Sequence, residues 1–419
     1  MWRQSLPPGW MRSSSNVIKA AVGFSELPVF ERDPQDVLTR GAHIRPFASP
    51  SNMLAISSWR LAHAVKKAEC SGLPSPAFLR WTSLGFLLEQ SQLLHWNGHN
   101  LRLFDGMANF YDDFSRTSLA GRIAQGVTVL FMEDRGFPFF ERFGTFMRRH
   151  GGQSILGRVA AKKGSEGSRS RAPDFVHESA TQERALVESK GGFVSPRAQP
   201  DIKGALRSAL GQLSVWGDYL VPRIPKAYAI ATYLREVSDT STEPSLIAFV
   251  DPDSDEQRDG LYYPRTAIRM GNYASWLAAM GLVEASMKLW SGSESSPEAI
   301  HAPVVTIQGN QVAIAPLGEP RHPWSWFSIY ETERFIQPGV LPFMGIRLDT
   351  LRTLGETMRT DSREPLERLE QFESRTLLEE VEGGSIVGSC FADGSYVGQI
   401  SLKEGMSFDN AVVLEEVLL

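Results

Sequence analysis

The chain is poor in cysteine, has no long apolar run and carries no glycine-rich phosphate loop, and each shortage removes a class of protein. Only Cys70 and Cys390 occur in 419 residues. They lie far apart and match no paired metal-ligand spacing, which argues against a disulfide framework or a zinc ribbon and fits a reducing compartment. No stretch approaches the roughly eighteen apolar residues needed to span a bilayer. The opening MWRQSLPPGW lacks the apolar core of a secretory signal, so a cytoplasmic protein without membrane association is expected. No GxxxxGK[ST] pattern appears, so intrinsic ATP use is unsupported. What is present is ordinary for a globular chain: 42% hydrophobic and 22% charged residues, with a net charge of -5. The length allows two or three domains.

Local charge says more than the total. Between Arg142 and Arg171 stand Arg142, Arg148, Arg149, Arg158, Lys162, Lys163, Arg169 and Arg171. These eight basic residues face the single acid Glu166, leaving a local charge of +7. A patch of this kind suits a phosphate backbone, with Arg158, Lys162, Lys163, Arg169 and Arg171 as candidate nucleic-acid contacts. A solvated loop is the plainer explanation of the charge alone. Its position counts for more, because the patch runs directly into the candidate site below.

Three regions are expected: a mostly helical one over 1–110, a core over 111–260 and an α+β one with hairpins over 261–419. Residues up to about 45 read as irregular. From Asn52 the apolar spacing predicts helices, the first closing on Gly72, and another covers Ser118 to Asp134. PDFVH and ALVESKGG read as a hairpin joined by ESATQER. Ile202 to Leu220 reads as an amphipathic helix, followed by buried strands at Lys226–Leu234 and Ser245–Asp251. Beyond Asp259 the spacing predicts a helix over YASWLAAMGLVEASMKLW, hairpins turning at Gly309-Asn310 and Asp393-Gly394, and a charged helix over PLERLEQFESRTLLEEV.

The chemistry concentrates in Pro173-Asp174, thirteen residues, then Glu188-Ser189-Lys190. Glu188 and Lys190, two apart on a strand, project from one face, and the hairpin returns Asp174 beside Glu188. Two carboxylates that close repel unless a cation lies between them, and a hard divalent ion, Mg²⁺ or Mn²⁺, is the natural occupant. An acid-x-Lys tripeptide alone usually marks a solvated face. Here it ends an apolar strand, where burying an uncompensated pair costs several kcal/mol.

With those residues in hand, the segment from Ser118 to Asp251 resembles the PD-(D/E)xK nuclease superfamily, the restriction-endonuclease-like fold. That resemblance implies an α/β (α+β) core of helix, three-stranded meander, helix and strand with a mixed central sheet. It implies Asp174 and Glu188 as metal ligands, the Ser189 carbonyl completing the shell, and Lys190 as the catalytic lysine. Members often place an acid on the first core helix, where this chain offers Gln125, with Glu133 and Asp134 near the helix end. Members also often carry a Gln on the helix after the lysine strand. Gln212 stands there, with Trp216 and Tyr219 beyond.

Other candidates are weaker. His177 within the hairpin is more simply structural. His95 and His99 have helical spacing, but Gly98 intervenes and no Glu follows the first His. DPDSDEQRDG, from Asp251, has Tyr262 where a calcium loop needs a bidentate Glu. The functional expectation is therefore a Mg- or Mn-dependent nuclease acting on DNA rather than RNA. A prokaryotic defence, mobile-element or repair setting would suit it, with a possible partner such as an ATPase subunit. The alternative is a nuclease-like subunit that binds nucleic acid, or acts as a scaffold, without cutting.

Overall fold

The computed structural model describes residues 23–39, 49–70, 85–87, 89–96, 98–152, 156, 172–217, 226–241, 243–251, 265–291, 299–317, 339–360, 362–381, 383–403, 406 and 412–419. Within them the chain is mixed α/β, built around two large sheets. The first contains β1 (Phe24–Glu31), β2 (Asn52–Ser57), β5 (Phe139–Arg142), β6 (Phe175–Glu178), β7 (Arg184–Val194), β8 (Lys226–Arg235) and β9 (Leu246–Val250). Its spatial order is β2-β1-β9-β8-β7-β6-β5. The short pair β3 (Leu94–His95) and β4 (Arg102–Leu103) forms a separate ribbon.

The middle of this sheet is assembled as a unit. β5, β6 and β7 form an antiparallel meander, and β8 joins β7 in parallel. A parallel neighbour needs a crossover, which the helix Ile202–Gly217 supplies on one face. The long helix Asp113–Asp134 precedes the meander and covers the other face. Its N-cap Asp112 accepts a hydrogen bond from the Ser115 amide at 2.8 Å. β9 is buried at every position, as expected for a strand covered on both sides.

Two small residues let the layers approach. A Cβ at Gly191 on β7 would lie 2.5 Å from the Ala124 Cβ and 2.6 Å from the Ala120 carbonyl oxygen of the long helix. A Cβ at Gly126 would lie 2.5 Å from a Val65 methyl on the helix Ser58–Glu69. Helix and strand therefore touch directly beside the acid-x-Lys segment.

The second sheet holds β10 (Ala299–Ile307), β11 (Asn310–Pro316), β12 (Val340–Arg347), β13 (Arg375–Val381), β14 (Gly384–Cys390), β15 (Ser395–Leu402) and β16 (Val413–Leu418). Its order is β13-β14-β15-β12-β11-β10-β16, with every neighbour antiparallel. The helix Ala267–Met280 joins the two halves and is buried along its whole length. It contacts β5 and β6 on one side, while the Trp276 indole donates to the Gly345 carbonyl of β12 at 2.9 Å on the other.

Several expectations change. The stretch read as irregular contains β1, and the helix expected from Asn52 begins as β2, its real N-cap being Ser57, which accepts from the Arg60 amide at 3.2 Å. Leu54 and Ile56 alternate inward at an edge strand, and Trp59 and Leu61 then continue on helical spacing, which blurs the boundary. Because β1 pairs β9 and β2 pairs β1, these two strands of the region expected to be mostly helical belong to the first sheet. Strand β5 was not expected; four residues are too few to give a periodic signal. The charged helix over 365–381 ends after Glu367, and Arg375–Val381 is strand β13. Pairing with β14 overrides the local helical preference there.

Candidate active site

The β6–β7 hairpin pairs Phe175 with Val187 and Val176 with Leu186, so the register carries Asp174 opposite Glu188. Past the last backbone pairing, side chains continue the contact. The Asp174 amide donates to Glu188 Oε2 at 3.1 Å, and the Ser189 amide donates to Asp174 Oδ2 at 2.9 Å. Lys190 lies two residues on and on the same face as Glu188. Its Nζ is 2.5 Å from Glu188 Oε1 and 2.7 Å from Gln212 Oε1 on the crossover helix. Ser189 points the other way, its hydroxyl accepting from Thr128 of the long helix at 3.0 Å. From one turn earlier on that helix, Gln125 Nε2 donates to Asp174 Oδ1 at 3.2 Å. Asp174, Glu188, Lys190, Gln212, Gln125 and Ser189 thus meet in one connected cluster at the start of β6.

The electrostatics follow from burial. Glu188 is 3% exposed, and its carboxyl is pushed well up, first by loss of water and then by the charge of Asp174; the Lys190 ammonium pulls it back in part. Burial raises Asp174 too, against the Ser189 amide, the Arg142 and Lys190 charges and the Gln125 amide. Two acids that resist ionising together form a site suited to a cation. The donor set is oxygen only, with no His or Cys, which favours a hard ion. Each of the four carboxylate oxygens already accepts one hydrogen bond, and a carboxylate oxygen has capacity for a second interaction. Among the described residues no group of three His, Cys, Asp or Glu side chains is placed to hold an ion. Asp174 and Glu188 are the two carboxylates of the cluster that could hold a hard divalent ion, and Mg²⁺ is commonly bound through one or two carboxylates with waters.

Other expected participants lie elsewhere. Glu133 turns away from the cluster to Arg60 at 3.1 Å, Ser374 at 2.8 Å and the Ala392 amide at 2.7 Å. Asp134 lies beside Asn52. His177 is fully buried, stacks on Phe140 with centroids 5.0 Å apart, and is held neutral by burial, its imidazole lowered to about 3. Trp216 packs edge-on against Phe143 in the core. His95 sits on β3 and His99 in a bend, so they share no helix face.

The basic patch reads differently as well. Arg149 pairs with the buried Glu141, and Arg142 turns inward to Ala68 and Gln125, so neither is free for a phosphate. Arg158, Lys162, Lys163, Arg169 and Arg171 lie outside the described residues, as do Tyr219 and all of the acidic turn after Asp251. Arg142 and Thr128 are the cluster members that the sequence did not bring forward. The clue for Arg142 was its place beside Glu141 directly after the apolar run FPFF, apart from the later cations.

Among the described residues, no helix is long and apolar enough to cross a membrane. Comparison of the chain with protein-family models, with curated proteins and with solved structures found no match.

Proposed function

We propose that this chain is a metal-dependent nuclease of the PD-(D/E)xK type that hydrolyses DNA phosphodiester bonds. The observation that carries the reading is the meeting of Asp174, Glu188 and Lys190 across one hairpin, in a place where Glu188 has almost no contact with solvent. The sequence of elements around it supports the same reading. The resemblance implies a core of helix, three-stranded meander, helix and strand, and the elements here follow that order, with β8 parallel to β7.

Asp174 and Glu188 would hold a Mg²⁺ or Mn²⁺ ion, with the Ser189 carbonyl as a further ligand by resemblance. When bound, the ion supplies neutralising charge at the phosphate and a more acidic water. The chain's own groups prepare the rest. Glu188 and Gln212 fix the Lys190 ammonium from two sides, so it is set in place to orient a water or a phosphate oxygen without reorganising. With both acids ionised, Arg142 and Lys190 cancel them, so a divalent ion would leave the cluster with two positive charges against an anionic backbone.

The test is incubation of the purified chain with linear and circular DNA, and with RNA, in Mg²⁺ or Mn²⁺, beside Lys190→Ala and Glu188→Ala. Cleavage by wild type falling about 100-fold or more in each variant is expected, the loss typical of one preorganised transition-state donor. Equal cleavage by all three would assign the activity elsewhere. A second reading, a nuclease-like subunit that binds nucleic acid or acts as a scaffold without cutting, is favoured by one observation: an amide, Gln125, touches Asp174 where a third acid would complete the set. It is distinguished by salt-sensitive DNA binding with no cleavage in either metal. A defence, mobile-element or repair role, and an ATPase partner, are extensions of the nuclease reading.

A further inference from the structure

Among the described residues of the expected basic patch, Arg142 reaches the cluster, and its contacts are specific. Its Nη2 donates to Gln125 Oε1 at 3.0 Å and its Nε to the Ala68 carbonyl at 2.7 Å. Its guanidinium lies 5.5 Å from the centre of the Phe175 ring, next to Asp174 in the chain. Gln125 then donates through Nε2 to Asp174 Oδ1. A guanidinium can only donate and a carboxylate can only accept, so an amide between them has one workable orientation. The reversed amide would set N–H against N–H and oxygen against oxygen.

We infer that Arg142 is a positioning residue of the metal centre: it locks the Gln125 amide so that Gln125 orients Asp174 and is itself no ligand. This inference rests on the metal-dependent reading above. The oxygen that could have reached an ion is committed to Arg142. In return both oxygens of Asp174 are fixed, Oδ1 by Gln125 and Oδ2 by the Ser189 amide. Gln125 therefore occupies the place of the expected helix acid but does a different job. Arg142 also joins three elements at this point. It is carried by β5, grips the end of the helix Ser58–Glu69 and steadies the middle of the long helix.

The experiment is Mn²⁺ binding to the full chain, followed by the loss of the free-ion electron paramagnetic resonance signal. Wild type, Gln125→Ala, Arg142→Met, Arg142→Lys and the Gln125→Ala/Arg142→Met double variant are compared. If Arg142 acts through Gln125, each single truncation weakens Mn²⁺ by about tenfold, the lower end for groups that orient a ligand. The double variant is then no weaker than either single one. Arg142→Lys keeps a donor for Gln125 Oε1 and binds closer to wild type than Arg142→Met. Should Arg142→Met fail to fold, Arg142→Gln, which removes the guanidinium but keeps a polar group for the Ala68 carbonyl, runs the same cycle with Gln125→Ala. Losses that multiply to about 100-fold in the double variant, or no loss in Arg142→Met, would overturn the inference, the first by assigning Arg142 a purely structural grip on Ala68. DNA cleavage measured in parallel separates the two ideas. Non-additive Mn²⁺ binding with no cleavage sinks the nuclease reading alone, whereas cleavage with additive binding sinks this inference alone. A wild type that binds no Mn²⁺ sinks both.

Discussion

Glu188→Gln is expected to make the metal-free protein more stable at pH 8, although it removes a charged group from the candidate centre. The Glu188 carboxyl is pushed up to about 8 from 4.5, by burial first and by Asp174 second. The folded value lies above the unfolded one, so between pH 4.5 and 8 the folded chain keeps a proton that the unfolded chain has released. Stability is then highest below that window and falls as pH rises through it. At about 1.4 kcal/mol per pH unit the upper bound is roughly 5 kcal/mol. Relaxation around the ionised pair reduces this, and the variant forfeits an ion pair to Lys190, whose side chain is 26% exposed, at a cost of up to about 1 kcal/mol. The net expectation is a gain of roughly 1–3 kcal/mol at pH 8 and little difference near pH 5. Urea unfolding of both proteins with a chelator at the two pH values measures it. Glu141, also raised to about 7 by burial, adds to the slope of both proteins and cancels in the difference. If Glu188→Gln is no more stable than wild type at pH 8, or keeps the full wild-type slope, the buried carboxylate pair is not under the electrostatic stress described.

Removing the Lys67 ammonium as Lys67→Met leaves Asp393 buried without its ion-pair partner and should cost about 3–5 kcal/mol; adding Asp393→Asn should recover part of that, both read by urea midpoints. Gly191→Val forces a branched side chain against Ala120 and Ala124 and should destabilise by about 1–3 kcal/mol or more. Because that strain falls one residue from Lys190, Mn²⁺ affinity should drop with it, whereas Gly211→Ala, at a helical site open to a Cβ, should stabilise by about 0.5–1 kcal/mol and leave Mn²⁺ affinity unchanged.

The candidate site was more legible than the fold around it. Asp174, Glu188 and Lys190 could be grouped because strand periodicity puts residues two apart on one face and a hairpin fixes what stands opposite. Both rules are local. The crossover helix and strands β8 and β9 were legible for a similar reason, since continuous apolar runs announce burial on two sides. Strands β1 and β2 were not, because β1 is placed by β9, more than 200 residues away, and β2 by β1. The segment Arg375–Val381 carries charges at helical spacing, and only its partner β14 makes it a strand. Arg142 was misread for the same reason. In sequence it belongs to a run of cations, and only the position of Ala68 and Gln125 shows it turned inward.

One helix, Ser58–Glu69, touches both sheets and the cluster's supporting contacts. Towards the first sheet it packs on Gly126 of the long helix and offers the Ala68 carbonyl to Arg142. Towards the second, its Lys67 meets Asp393, and its His63 bridges Ser389 at 2.8 Å and Ser395 at 3.2 Å. These groups are buried, and buried polar groups are tolerated only while every partner is present. The ammonium of Lys67 also sits among the rings of Phe140, Trp276 and Phe391, which come from β5, the connecting helix and the end of β14. Separating the second sheet would leave that charge and the imidazole unpaired on the helix whose next residue holds Arg142. The second sheet is thus linked to the carboxylate cluster by a run of contacts from Asp393 to Lys67, Ala68, Arg142, Gln125 and Asp174.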